Sequence, residues 1–76
     1  MPAHDLDTSG LKCPLPVLKA KKALRALDAG ERLHVTATDP NALNDVPAYC
    51  TEAGHRLVET RTEGGKYLFV IEKGAT

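Results

Sequence analysis

Short clusters of turn-forming residues interrupt this 76-residue chain at five places: Thr8-Ser9-Gly10, Asp28-Ala29-Gly30, Asp39-Pro40-Asn41, Gly54 and Glu63-Gly64-Gly65. Glycine and proline punctuate local structure more strongly than any other residues, so six short elements must be fitted between these breaks. Residues 4–8 read as a short edge strand. Residues 14–29 are rich in Ala, Leu, Lys and Arg and predict a helix, with Gly30 as its left-handed cap. Residues 32–38 alternate, with Leu33, Val35 and Ala37 on one side and His34, Thr36 and Thr38 on the other, as in a half-buried strand. A second helix is expected over 41–53, with Asn44 or Asp45 as cap and Pro47 in its first turn. Residues 56–62 and 66–72 form a hairpin about the glycine-bearing loop. The order βαβαββ predicts one α+β domain over residues 1–76: a two-layer sandwich of a four-stranded mixed sheet with both helices packed on one face.

A domain of this size encloses little interior, so its chemistry is expected at the surface. Ten Lys plus Arg balance ten Asp plus Glu, and Tyr49, Tyr67 and Phe69 are the whole aromatic stock. Neither a basic footprint nor base-stacking platforms can be built from that, which argues against direct nucleic-acid binding. Residues 1–10 lack the basic start and apolar stretch of a secretory signal, and nothing suggests a membrane segment, so a cytoplasmic location is expected. In that compartment Cys13 and Cys50 should be free thiols.

Cys13-Pro14-Leu15-Pro16 carries the chemistry. Pro14 suits the first position of a helix, which puts Cys13 at the N-cap, where free amides and the helix dipole would lower its pKa. Pro14 and Pro16 stiffen that start, and Lys12 adds positive charge beside the sulfur. No acid occurs from Lys12 to Leu27, a stretch that also holds Lys19, Lys21, Lys22 and Arg25. At 100° per residue Pro16, Val17, Ala20, Ala23, Leu24 and Leu27 share the core face. Leu15, Leu18, Lys19 and Lys22 fall outside it, either as a docking patch for an acidic partner or as a partly buried helix edge. The bland alternative for Cys13 itself is a small buried hydrophobe.

Cys50 follows Val46 by four residues and reads as core packing, and its distance from Cys13 in sequence does not fit a dithiol motif. A thiol–disulfide switch between Cys13 and Cys50 is the competing redox reading. His4, His34 and His55 stand apart and form no metal-ligand pattern, so no metal is expected. Asp39 and Asp45 read as turn and helix-cap residues rather than catalytic ones, and His55 as structural.

The run Leu6-Asp7-Thr8-Ser9-Gly10-Leu11-Lys12-Cys13-Pro14-Leu15-Pro16, with Asp39-Pro40, Asp45-Val46-Pro47 and Gly54-His55 followed by Leu57, closely resembles the TusA/SirA-like family of small sulfur-carrier proteins. The resemblance implies a βαβαββ sandwich and a sulfurtransferase in which Cys13 is the persulfide carrier. It implies a cysteine desulfurase as sulfur donor, a downstream sulfur-relay protein as acceptor, and tRNA wobble-uridine 2-thiolation as the end of the relay. Tyr49-Cys50-Thr51 is more like the tRNA-thiolation members. Other members serve dissimilatory sulfur oxidation, and a nonenzymatic regulatory or nucleic-acid-binding module is the alternative of another class. No cofactor is expected beyond the covalent sulfur on Cys13.

Overall fold

A computed structural model describes residues 3–74. The N-terminal stretch and the domain bounds expected above extend to 1–2 and 75–76, which lie outside the described residues. Four strands and two helices follow in the order β1 (Ala3–Thr8), α1 (Leu15–Arg25), β2 (Arg32–Ala37), α2 (Ala42–Ala53), β3 (Arg56–Glu63) and β4 (Lys66–Glu72). The sheet order is β1-β2-β4-β3, with β1 parallel to β2 and the other two pairings antiparallel. β1 is thus an edge strand, and α1 is the crossover that two adjacent parallel strands require.

The alternation in β2 buries Leu33, Val35 and Ala37 and leaves His34 exposed, as its period predicts. Phe69 and Ile71 of β4 meet them in register, opposite Val35 and Leu33. α1 adds Pro16, Ala20 and Leu24 to this layer, and α2 adds Ala42, Val46 and Cys50. α1 packs on β1 and β2, α2 packs on β3 and β4, and the two helices touch. Both therefore cover the same face of the mixed sheet. The hairpin closes through Gly64 and Gly65, at φ +55° and +78°, the pair of positive angles a two-residue turn between twisted strands needs. Glu63 pairs with Lys66, so the strand runs one residue further than expected. Among the described residues, no helix is long and apolar enough to cross a membrane.

Three local expectations are corrected. α1 ends at Arg25 with Ala26 as C-cap, four residues short of the expected end, and Gly30 is not its cap. Ala26 and Leu27 donate to Ala23 and Leu24 and tighten the last turn, while the Lys73 ammonium, 2.7 Å from the Leu24 carbonyl, caps that end from the far terminus. The Gly30 N–H donates instead to the Lys73 carbonyl. In α2 the N-cap is Asn41, not Asn44 or Asp45, and it makes no side-chain cap bond. Asp39 supplies acceptors instead, Oδ1 for the Asn41 N–H at 3.0 Å and its carbonyl for the Ala42 N–H at 3.0 Å. Pro47 lies inside the helix rather than in its first turn, and the carbonyl it cannot serve belongs to the exposed Leu43.

His55 has the structural role expected of it. Its Nδ1 accepts the Gly74 N–H at 3.0 Å and its ring centroid lies 5.8 Å from that of Tyr49. Partial burial, then the Lys73 ammonium, hold the imidazole below its ordinary value. The folded state therefore favours neutral His55, and below about pH 6.5 the unfolded chain binds the extra proton. Stability from this contact is complete above that pH and should fall as pH drops through the folded value. A histidine titration followed by NMR, with melting measured from pH 7.5 to 5, checks both the low titration point and the direction of the loss.

Candidate functional site

The site is built where β1 and β2 end. Parallel strands direct the loops that follow them to one edge of the sheet, the place where open α/β layers bind and react. Here those loops are residues 9–14 and 38–41. Thr8 is buried, and its hydroxyl donates to the Thr36 carbonyl at 2.5 Å, fixing the end of β1 to β2. Gly10 turns the chain at φ +81°, a conformation side chains disfavour, and its N–H donates to the Thr38 hydroxyl at 2.8 Å. The next anchor is at the cysteine: the Cys13 N–H donates to Asp39 Oδ2 at 2.8 Å. One bond between the strand ends and two between the loops thus fasten this segment to its neighbour, and the sulfur sits on a braced backbone.

Cys13 is half-buried, packed against the edge of the core. It is not the N-cap of α1. That position belongs to Pro14, joined to Cys13 by a cis peptide bond, and Pro16 stands in the first helical turn. The expected lowering of the thiol pKa is also corrected. Partial burial, followed by a hydrogen bond to Asp45 and the charges of Asp39 and Asp45, pushes the Cys13 thiol up to about 11. Two further features of the fold add to the effect of burial. Two of the first-turn amides meant to stabilise a thiolate are missing or used: Pro16 has none, and the Leu15 N–H donates to the Lys12 carbonyl at 2.9 Å. The acid-free stretch around Cys13 is acid-free only along the chain, because α2 and the loop before it bring two carboxylates across in space.

Asp39 is therefore more than a turn residue. Hydrogen bonds from the Asn41 and Cys13 amides, with the Lys12 ammonium nearby, hold its carboxyl below the usual carboxylate range, so it is charged at neutral pH. Asp45 caps nothing; from the first turn of α2 it faces the sulfur. Nothing in local spacing links Asp39 or Asp45 to Cys13. The one hint in the sequence was that Asp39 follows the next strand along the chain after the one that leads to Cys13.

Pro14, Val17, Asp45, Ala48, Tyr49 and Glu52 line an open groove of about 340 Å³ between α1 and α2. Leu15 and Leu18 are 44% and 52% exposed, and Lys19 and Lys22 are exposed beside them, so the four form one outward stripe rather than a buried helix edge. A second hollow, of about 390 Å³, lies on the uncovered face of the sheet among Asp5, His34, Glu59, Arg61 and Leu68, and no thiol lines it. Cys50 is 1% exposed in the core, where burial pushes its thiol up to about 11. That placement fits a packing residue, and Cys13 and Cys50 are both free thiols. His4 lies 3.0 Å from Glu31, His34 is exposed on the sheet and His55 holds Gly74, so the three histidines do not converge.

Comparison with known proteins points to one family. The family described as sulfurtransferase TusA matches residues 4–73. The chain is 51% identical over 70 residues to the sulfur carrier protein TusA of Allochromatium vinosum, covering 92% of each. Its fold superposes on the crystal structure of a SirA-like protein from Desulfitobacterium hafniense with a TM-score of 0.83 at 27% identity, covering 96% of this chain and 99% of that one. With its sequence matched from the first strand to the last and its βαβαββ sandwich shared, the chain belongs to the TusA family of sulfurtransferases.

Proposed function

We propose that Cys13 accepts a sulfane sulfur from a cysteine desulfurase as a persulfide and hands it to a sulfur-relay protein, in a pathway ending in 2-thiolation of the tRNA wobble uridine. The observation that carries this reading is a partly exposed thiol held on a braced loop beside an open groove. A carrier needs that access, since its sulfur must meet one protein and then another. In the loading step the Cys13 sulfur, as thiolate, attacks the terminal sulfur of the donor's Cys–S–SH group. A new S–S bond forms, the donor's S–S bond breaks, and the departing donor thiolate takes up the proton that Cys13 gave. No oxidant or reductant is consumed. Lys12, Pro14 and Pro16 support the loop that presents the sulfur, and Leu15, Leu18, Lys19 and Lys22 offer partners an apolar stripe with a basic rim. The tRNA is modified downstream and is not held here, and the persulfide is kept in a reducing compartment such as the cytoplasm.

Intact mass tests the reading. Protein incubated with cysteine and a cysteine desulfurase should gain one sulfur atom, and a reducing agent should remove it. No gain from a donor shown to be active would overturn the carrier assignment.

A further inference from the structure

Cys13 is faced by two carboxylates from two other segments, Asp45 from α2 and Asp39 from the loop after β2, and the Lys12 ammonium stands near Asp39. Asp39 is committed to two backbone amides, its Oδ1 to Asn41 and its Oδ2 to Cys13. Asp45 has no such commitment; it faces the sulfur and also lines the α1–α2 groove. Further along α2 the groove is lined by Tyr49 and Glu52, so its walls carry two carboxylates and no cation. Partial burial, and then Asp45 and Asp39, act against a Cys13 thiolate and would act in the same way on a persulfide anion, although a sulfur carrier must pass through such forms. A group that opposes the reactive state at rest, and that stands in an open groove, can be neutralised from outside.

Resting on the carrier reading above, we propose that Asp45, backed by Asp39, gates Cys13: it holds the sulfur as a thiol in the free carrier, and a cationic side chain from the docked sulfur donor, entering the acidic groove to pair with Asp45, frees the thiolate. Charge complementarity selects the occupant. Apolar walls at Pro14, Val17 and Ala48 with Asp45 and Glu52 at the rim suit a donor segment that carries Lys or Arg. The gate limits two losses. A free carrier with a protonated thiol reacts slowly with stray electrophiles and oxidants, and a loaded carrier whose persulfide is repelled gives its sulfur up readily to an acceptor.

Asp45→Asn separates this from a merely structural role, because it should move two measurements in opposite directions. Iodoacetamide alkylation of the free protein at Cys13, followed by mass at pH 7.5, should speed up about three- to tenfold, with its pH midpoint shifted down, because a like charge beside the thiolate is gone. In steady-state sulfur loading the KM for the carrier should rise about fivefold or more, because the donor's cation has lost its partner. Asp45→Glu should restore both, and circular dichroism checks that each variant is folded. Unchanged or slower alkylation overturns the gate, and so does an unchanged KM. If native protein takes up no sulfur at all, the carrier reading falls instead, while the alkylation profile still decides whether Asp45 holds the thiol protonated.

Discussion

Cys13→Ser is expected to take up no sulfur from an active donor, while its stability stays within about 0.5 kcal/mol of the native protein, because the site is half-exposed and the hydroxyl nearly matches the thiol in size. The bond that orders the loop here is the backbone N–H of Cys13 to Asp39, which serine keeps. Loss of loading then reports chemistry and not folding. Cys50→Ala is the matching control with the opposite result. Cys50 is 1% exposed among the residues of the core, so truncating it should cost about 1–2 kcal/mol and leave sulfur uptake intact. Mass spectrometry of loading and urea unfolding of both variants provide the check. Loading that survives in Cys13→Ser would remove Cys13 from its role, and loading that disappears in a folded Cys50→Ala would favour the thiol–disulfide switch instead.

The second large effect is on the fold. Phe69 is the largest fully buried side chain and 0% exposed. It stands in the interior strand β4, opposite Val35 on β2 and Thr60 on β3, under the part of the sheet that α2 covers and in one buried cluster with residues of both helices. Phe69→Ala should destabilise the domain by about 3–5 kcal/mol, through the lost burial and the cavity left behind. A domain of this length is expected to hold only about 4–11 kcal/mol in all, so much of the variant should be unfolded at 37 °C. Chemical denaturation of native and variant protein measures this. A loss below about 1 kcal/mol would mean that the core does not hinge on this ring.

Much of the fold was legible because it rests on local rules. The alternation of Leu33, Val35 and Ala37, the two glycines of the hairpin and the core face of the first helix each depend on residues a few positions apart, and each appears in the structure. Cys13 was legible for a similar reason: the Cys-Pro-Leu-Pro run and the turn before it mark it within a few residues. The errors at the helix caps came where a group outside the periodic run intervened. Lys73 ends the first helix early from the opposite terminus, and Asp39 supplies acceptors at the start of the second from just outside it.

The electrostatics of the sulfur show the same division. Sequence alone settled the order of the six elements and the buried faces, and marked Cys13 as the candidate, because periodicity and turn chemistry act over a few residues. Read along the chain, that cysteine has lysines for neighbours and should ionise easily. The tertiary structure decided the opposite, since the fold half-buries the thiol against the core and sets Asp45 and Asp39, 32 and 26 positions further on by their numbers, beside it, and charge acts through space over a few ångströms.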